Sequence, residues 1–286
     1  MVLESGDTAA QVDEMSAEKS GELRSPETRA RLKNFLPRVL SSLILAPLAL
    51  FATYYGGWLF AALVAVAGAV ALTEWLRFTD RSDKVVTVLA VAFLGFAASV
   101  AHIVGPDLAF LSAGVSACVV WAVSQLRGGS GRWAAGGFVY IVLPVISLIW
   151  LRHSEGFDLI FWILGIVWAM DIGAYVFGSL LGGAKLAPRL SPNKTWSGVI
   201  GGTLCAALVS FLLGTWFNLG LPAFLILVGG GLALWSQVGD VLESSIKRRF
   251  GVKDSGSIIP GHGGVLDRID SLVFTAPVVA LGSWLF

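Results

Sequence analysis

The chain has 286 residues, of which 56% are hydrophobic and only 14% are charged, and its mean hydropathy is +0.78. Soluble globular domains carry about 25% charged residues, so this composition excludes that class and predicts an integral membrane protein with no nucleic-acid partner. The net charge of +1 excludes little by itself, because in a membrane protein the placement of charge in the loops carries the information.

The first 33 residues contain almost no apolar side chains that could be buried. They have little apolar surface with which to offset the entropy lost on folding, so residues 1–33 are predicted to form a disordered cytoplasmic tail. The rest of the chain, residues 34–286, is predicted to form one transmembrane domain. The acidic residues of the tail are Glu4, Asp7, Asp13, Glu14, Glu18, Glu22 and Glu27.

Nine apolar runs are long enough to cross the membrane as helices. Crossing about 30 Å of hydrocarbon takes roughly 20 residues in a helix. Glycine, proline or charged residues separate the runs and mark the loops. The sequence therefore predicts an all-α integral membrane protein, a polytopic bundle of about nine transmembrane helices. The runs lie at 37–55, 57–76, 85–104, 107–126, 133–151, 158–181, 196–217, 221–243 and 269–286.

Lysine and arginine are distributed unevenly between the two sides that these spans imply. If the N-terminus is cytoplasmic, all of the 20 basic residues except Arg152 fall in cytoplasmic segments. The positive-inside rule therefore predicts a cytoplasmic N-terminus, two cytoplasmic loops rich in charge, and a C-terminal Phe286 on the outside.

Among the acidic residues within the predicted spans, the informative ones are Glu74, Asp171, Asp240 and Glu243. A charged side chain within a bilayer costs several kcal/mol unless it is paired, bound to metal or hydrated. Asp171 shares a helix face with Tyr175 and is interpreted as lining a site, with a structural ion pair to lysine as the alternative. Glu74 lies beside Trp75 near the end of its span, where a salt bridge is at least as good an interpretation as function.

Residues 240–270 carry polar groups that a membrane span does not need. Asp240, Glu243, Ser244 and Lys247 fall at i, i+3, i+4 and i+7. This spacing places two carboxylates, a hydroxyl and an ammonium on one face of a helix. The pattern predicts a polar helix face that continues directly from an apolar span.

A glycine-rich loop follows this helix face and leads into the last apolar run. Its glycines allow backbone amides to approach a phosphate closely. His262 is predicted either to hydrogen-bond a phosphate or to act as an acid or base. Asp267 and Asp270 would share a helix face and could join Asp240 around one divalent cation, with a lattice of salt bridges to arginine as the structural alternative. The glycines are Gly251, Gly256, Gly261, Gly263 and Gly264.

The loop between the runs at 158–181 and 196–217 is the second one rich in charge. Pro188 and Pro192 hold its backbone out of a helix. Lys194 and Thr195 then reach the start of the next span, where exposed amides and the helix dipole favour an anion. Cytoplasmic anchoring is the alternative, but it does not explain the prolines around Ser191, Asn193 and Lys194.

Together the two loops offer both signs of charge, which a nucleoside triphosphate with its metal requires. Attraction to lipid headgroups alone would explain the cations, but so many neighbouring acids would oppose it. The predicted site is therefore a phosphate and metal site at the cytoplasmic face. The cations are Lys185, Arg189, Lys194, Lys247, Arg248, Arg249, Lys253 and Arg268, and the acids are Asp240, Glu243, Asp254, Asp267 and Asp270.

The stretch 244–270 resembles the signature of the phosphatidate cytidylyltransferases, also called CDP-diacylglycerol synthases. The SPNKT element at 191–195 and the preceding stretch at 171–175 also resemble this family. More than a dozen ordered positions carry the resemblance, so a chance match is improbable. The signature positions are Ser244, Ile246, Lys247, Arg248, Lys253, Asp254, His262, Gly263, Gly264, Asp267, Arg268, Ile269 and Asp270.

The resemblance implies a bacterial inner-membrane enzyme that transfers a cytidylyl group from CTP to phosphatidic acid, yielding CDP-diacylglycerol and pyrophosphate for phospholipid biosynthesis. It also implies a requirement for Mg²⁺, with room for a second cation. Residues 34–286 would then be the catalytic domain. Membrane lipids are further expected partners, and glycine-rich helix faces make a homodimer reasonable.

Site roles are assigned from the resemblance together with the residue patterns described above. Asp240, Lys247, Arg248, His262 and Arg268 are assigned to catalysis. Asp240, Asp267 and Asp270 are assigned to the metal. Substrate binding is assigned to Asp171, Tyr175, Lys185, Ser191, Asn193, Lys194, Thr195, Glu243, Ser244, Lys253, Asp254, Gly263 and Gly264.

Two alternatives stay open on the sequence. One is a related CTP-dependent membrane transferase that acts on another lipid, such as a polyprenol kinase or a CDP-archaeol synthase. The other is an ion-coupled transporter, because acidic residues within spans also mark ion paths. A transport path should carry ionisable groups near mid-membrane and on both sides, whereas these gather at one face.

Overall fold

The computed structural model describes residues 41, 43–79, 83–188, 190–259 and 263–285, and of Pro192 only the backbone. The predicted disordered tail, Arg189, His262 and Phe286 lie outside these residues. Within them the chain forms nine helices and two strands. They are α1 (Leu43–Tyr55), α2 (Gly57–Thr79), α3 (Lys84–Ile103), α4 (Pro106–Leu126), α5 (Gly131–Ser154), α6 (Phe157–Leu181), β1 (Lys185–Ala187), β2 (Ser191–Thr195), α7 (Trp196–Trp216), α8 (Pro222–Arg249) and α9 (Leu266–Leu285).

Eight of these helices, α2 to α9, are long and apolar enough to cross a membrane, and α1 is a shorter apolar helix in its described part. The prediction of a polytopic helical membrane protein is confirmed. Helix α8 continues past the end of its predicted apolar span at residue 243 to Arg249, in agreement with the predicted polar helix face from Asp240 to Lys247. The helix continues because side chains pair along it, Lys247 Nζ lying 2.9 Å from Glu243 Oε1 one turn earlier.

A small antiparallel hairpin departs from the predicted all-α architecture. Strands β1 and β2 pair Lys185 with Thr195 and Ala187 with Ser191. Trp196 N donates to Ala184 O at 3.0 Å and closes the hairpin at the start of α7. The strands are too short for a period-2 pattern to be visible in the sequence. The hairpin holds the basic loop against the N-terminus of α7.

The bundle has two buried apolar clusters, joined by α9. One cluster lies among α2, α3, α4 and α5 and includes Leu72 and Phe138. The other includes Ile163 of α6 and Leu232 of α8, with Ala276 of α9, whereas Leu266 of α9 belongs to the first cluster. Helix α9 therefore ties both halves of the bundle together, and its N-terminus lies where the polar loops meet.

Glycines bring α6 and α7 into close contact. A Cβ added at Gly173 of α6 would lie 2.9 Å from the Cα of Gly202 in α7. One placed at Gly178 would lie 3.0 Å from Thr195 Oγ1. These glycines therefore allow α6 and α7 to pack closely within the chain.

Aromatic side chains brace the end of α8 against α2 and α5. Trp75 Nε1 donates to Trp133 O at 2.9 Å, and the Phe250 ring centroid lies 5.0 Å from that of Trp133. The Arg249 guanidinium lies 5.4 Å from the centroid of the Trp133 ring. At the opposite end of α5, Arg152 donates to the carbonyl of Tyr54 at 2.8 Å. The brace therefore lies at the end of the bundle that carries the charged loops.

Candidate active site

The polar face of α8 forms the floor of the site. Asp240, Glu243, Ser244 and Lys247 are all helical, as predicted. Ser244 Oγ donates to Asp240 Oδ1 over 3.4 Å, and Lys247 Nζ lies 2.9 Å from Glu243 Oε1. Glu243 is 0% exposed and Lys247 is 8% exposed. A buried pair of this kind is tolerated because each charge has an opposite charge within hydrogen-bonding distance.

Asp267 clamps the glycine-rich loop to this face. Lys247 Nζ donates to Asp267 Oδ1 at 2.6 Å. Backbone amides donate to the same carboxylate from Ser255 at 3.0 Å and from Gly264 at 2.9 Å. Gly263 adopts a φ of +84°, a conformation that favours glycine. Both oxygens of Asp267 are therefore engaged in holding the loop.

Lys194 joins the hairpin to the same helix face. Its Nζ donates to Asp240 Oδ2, and it also donates to Gln237 Oε1 at 3.0 Å. The Lys194 side chain stays 20% exposed and that of Asp240 24% exposed. The two loops that the sequence singles out are therefore in direct contact through one ion pair, and Gln237 is a partner that the sequence did not indicate.

Two further carboxylates, those of Asp171 and Asp270, lie near the Asp240 member of this ion pair. Asp171, Asp240 and Asp270 are close enough to interact electrostatically with one another. Glu243 in turn lies near Asp270, and Arg268 lies near Asp171. Within the described ranges no three His, Cys, Asp or Glu side chains converge closely enough to hold a metal ion. The predicted set of Asp240, Asp267 and Asp270 therefore stays a prediction.

Two buried oxygens at the floor have no hydrogen-bond partner among the described residues. They are Glu243 Oε2 and the Tyr140 hydroxyl. Tyr140 comes from α5 and lies within electrostatic range of Glu243, Asp270 and Asp240. No sequence pattern indicated Tyr140, because a single tyrosine in an apolar run has no spacing that distinguishes a functional residue from a packing residue.

The remaining predicted residues lie around the rim, and they differ in what holds them. Arg248 Nη1 donates to Val252 O at 3.3 Å, in the loop just past the end of α8. Thr195 is 4% exposed and caps α7, since its Oγ1 accepts from Gly198 N at 3.2 Å. Tyr175 is 77% exposed, and no hydrogen bond or ring contact to it occurs among the described residues. Lys185, Asn193, Lys253, Asp254 and Arg268 are exposed, and Ser191 is half-buried.

Glu74 is the clearest residue that the sequence interpretation placed wrongly. It is 0% exposed, and no salt bridge to it occurs among the described residues. It accepts hydrogen bonds from Ser255 Oγ at 3.1 Å, Val265 N at 3.0 Å and Leu266 N at 2.9 Å. The interpretation as an interfacial salt bridge is therefore replaced by a hydrogen-bonded clamp on the site loop.

Known proteins resemble this chain in sequence over most of its length. A family model described as the cytidylyltransferase family matches residues 36–286. The phosphatidate cytidylyltransferase of Brucella suis is 37% identical over 262 residues, which cover 89% of this chain and 95% of that protein. That of Rickettsia bellii is 44% identical over 156 residues, covering 50% of this chain and 65% of the relative. That of Staphylococcus epidermidis is 49% identical over 128 residues, covering 44% and 49%.

The family match covers the transmembrane bundle, the hairpin and the whole of the clamped loop. The Brucella relative aligns along almost its entire length. The chain therefore belongs to the cytidylyltransferase family.

Proposed function

We propose that this chain is a phosphatidate cytidylyltransferase. It transfers the cytidylyl group of CTP to phosphatidic acid and releases pyrophosphate, and residues 34–286 are its catalytic domain. The observation that carries the proposal is the ion pair of Lys194 with Asp240, which brings a basic hairpin onto an acidic helix face at one end of a membrane bundle. The family match and the names of the relatives support the same reaction.

The chemistry joins two anionic reactants. An oxygen of the phosphatidate phosphate attacks the α-phosphorus of CTP and forms the new P–O bond. The bond from the α-phosphorus to the bridging oxygen breaks, and its electron pair leaves with pyrophosphate. The attacking oxygen is already ionised, so the reaction needs relief of charge repulsion and alignment more than a general base.

Cations of the chain supply part of that relief. Lys194 already lies between the hairpin and α8, and its partly exposed ammonium can donate to a phosphate in place of Gln237. Arg268, Lys253 and Lys185 extend positive charge around the rim. Lys247 stays buried in its ion pairs with Glu243 and Asp267. We therefore assign it to holding the floor of the site and to adding positive electrostatic potential there.

The carboxylates fit a hard divalent cation. Five of them, Asp171, Asp240, Glu243, Asp267 and Asp270, face three cations, Lys194, Lys247 and Arg268, in the ion pairs and electrostatic contacts of the described residues. Magnesium, when bound, would neutralise triphosphate charge and orient the α-phosphorus.

The candidate metal ligands differ in how many of their carboxylate oxygens already accept hydrogen bonds. Asp240 and Asp270 are the ligands we propose, and Asp171 lies within electrostatic range of both. Asp267 is in the original prediction, but its oxygens already accept from Lys247 and two amides, so we assign it to holding the loop. A second cation and a role for His262 stay predictions.

We propose that the site faces the cytoplasm of a bacterium from its inner membrane, with the N-terminus inside and the C-terminus outside. The distribution of basic residues supports this orientation, since Arg152 lies at the end of α5 opposite the site. The homodimer stays a prediction. The glycine-rich faces of α6 and α7, on which it was based, pack against each other within the chain.

Cysteines placed at Ala187 and Ser257, one in each site loop, should react with a membrane-impermeant maleimide only from the cytoplasmic side. Ser257 is exposed and Ala187 is half-buried, so a cysteine at position 257 should react faster than one at position 187. Inverted vesicles expose the cytoplasmic face to the reagent, and right-side-out vesicles expose the outer face. Labelling of either position from the outside would overturn the orientation.

Lys194→Ala and Arg268→Ala should lower transfer by about 10²-fold while the protein extracts and purifies normally. Each removes a cation that faces anionic substrates, and such groups act mainly on the transition state. Initial rates at several CTP concentrations, together with the melting temperature, measure both effects. Lys84→Ala, which removes a cation in the first turn of α3 away from these contacts, is the matched control. Unchanged rates would remove both residues from the phosphate site.

The lipid substrate is tested by offering purified protein CTP with a panel of lipid phosphates. Phosphatidate should support pyrophosphate release, whereas an archaeol phosphate should support it poorly. A polyprenol that became phosphorylated would point to the kinase alternative. If no lipid of the panel supports pyrophosphate release at any magnesium concentration, the proposed function is wrong.

A further inference from the structure

The carboxylate of Glu74 is buried at the site end of α2 without a cationic partner among the described residues. A carboxylate in that position is expensive unless other donors replace water. Three donors do so, and all three belong to the segment 255–266, more than 180 positions along the chain. The burial of Glu74 therefore depends on this one distant loop.

Two of the donors are backbone amides at the beginning of α9. Val265 N and Leu266 N have no partner one turn earlier in the helix, so they must be satisfied by a group outside it. A negative charge at a helix N-terminus also interacts favourably with the helix dipole. Glu74 of α2 thus acts as the cap that fixes where α9 begins.

The loop glycines make this contact sterically feasible. A Cβ added at Gly256 would lie 2.9 Å from the Glu74 Cδ, and one added at Gly264 would lie 2.8 Å from it. Real Cβ atoms essentially never make contacts this short, so a larger residue at either position would have to push the Glu74 carboxylate out of its place. Part of the glycine-rich pattern is therefore explained by a carboxylate from the first half of the chain.

Glu74 and Asp267 hold the same loop from two sides. Ser255 donates its hydroxyl to Glu74 and its amide to Asp267. Gly264 N donates to Asp267, and the next amide, that of Val265, donates to Glu74. Asp267 is in turn paired with Lys247 on α8. A displacement of Glu74 would therefore move the start of α9, which carries Arg268 and Asp270.

We propose that Glu74 is a positioning residue of the active site: it holds Ser255, Val265 and the start of α9 so that Arg268 and Asp270 face the carboxylates of α6 and α8. The assignment rests on the proposed function for what those residues do. Glu74 itself touches neither substrate, since its oxygens are enclosed by the protein.

The test compares Glu74→Gln with a matched control, Glu155→Gln. Glutamine keeps the shape but turns an amide donor toward the backbone amides. Glu155 also accepts from a serine hydroxyl, that of Ser283 at 2.8 Å, but at the opposite end of the bundle. In Glu74→Gln we expect kcat per folded molecule to fall about 10- to 100-fold with little change in KM for CTP, and Glu155→Gln to match the wild type.

Hydrogen exchange supplies a readout that does not depend on the reaction. Peptides covering 255–266 should exchange faster in Glu74→Gln, while those from α3 and α4 should be unchanged. Ser255→Ala, which removes a single donor, should give a smaller change in the same direction and guards against a Glu74 variant that does not fold. An unchanged exchange rate in the loop, or a loss of activity that follows only the amount of folded protein, would overturn the assignment. A wild type without transferase activity would refute the proposed function and leave the exchange comparison to decide the role of Glu74.

Discussion

Asp240→Asn and Asp270→Asn should each abolish cytidylyl transfer, by about 10³-fold, in protein that still folds. Each change keeps the size of the side chain and removes a negative charge that lies beside another carboxylate. Relief of that repulsion favours the folded state, although Asp240→Asn also gives up the ion pair with Lys194, whereas loss of a magnesium ligand removes transition-state stabilisation. Rates measured against magnesium concentration, with melting temperatures in detergent, separate the two effects.

Two comparisons sharpen this prediction. Asp158→Asn, in the first turn of α6 at the end away from the site, should keep wild-type rates and magnesium dependence. Asp267→Asn should lose activity and also melt at a lower temperature, because Asp267 holds two amides and Lys247. Full activity in Asp240→Asn and Asp270→Asn, with magnesium dispensable, would contradict the metal assignment.

Lys247→Met should destabilise the folded protein more than any other single change in the site. Lys247 is nearly buried and lies between Glu243 at 2.9 Å and Asp267 at 2.6 Å. Removing it leaves two carboxylates without their counter-charge, and breaking such a buried pair costs about 3–5 kcal/mol. Thermal unfolding in detergent measures the loss, and the glycine-rich loop should become accessible to protease.

A second substitution distinguishes charge from packing in this prediction. Lys247→Met combined with Glu243→Gln removes one of the two unpaired carboxylates, so it should recover part of the lost stability without recovering activity. Ser245→Ala, on the same helix but bonded only to Leu242 O, is the control for a nearby change. A Lys247→Met variant as stable as the wild type would show that the two ion pairs do not hold the floor together.

The polar face of α8 could be predicted because its signal is local. Four side chains at helical spacing identify one face, and the pairs Glu243–Lys247 and Asp240–Ser244 lie within that face in the structure. The hairpin contact of Lys194 with Asp240 was predicted only as shared membership of a site. Opposite charges in two loops indicate proximity, but they do not select which partners pair.

Glu74 and Tyr140 were beyond prediction for a different physical reason. The partners of Glu74 lie 181 to 192 positions further along the chain, so no local spacing relates them. Tyr140 lies in an apolar run and is surrounded by aromatic rings, including that of Trp75 at 5.2 Å. In both cases the position of a side chain depends on the packing of α2 and α5 against the loop, which only the folded bundle establishes.

Asp267 shows how one pattern can support two geometries. Its spacing from Asp270 predicted a shared helix face and a shared cation. Both residues do lie in the first turns of α9, yet Asp267 turns to the loop amides and Lys247, while Asp270 lies near Asp240 and Asp171. The bond to Gly264 N depends on the backbone path of the glycine-rich loop, which the residue spacing does not specify.

The most direct test of the proposed reaction follows each phosphorus of CTP separately. Purified protein in lipid nanodiscs is given phosphatidate, magnesium and CTP labelled either at the α- or at the γ-phosphorus. The account predicts that the α-label enters the lipid fraction, and that the γ-label leaves in pyrophosphate. Entry of the γ-label into lipid, with the α-label remaining on free CDP, would identify a lipid kinase and contradict cytidylyl transfer.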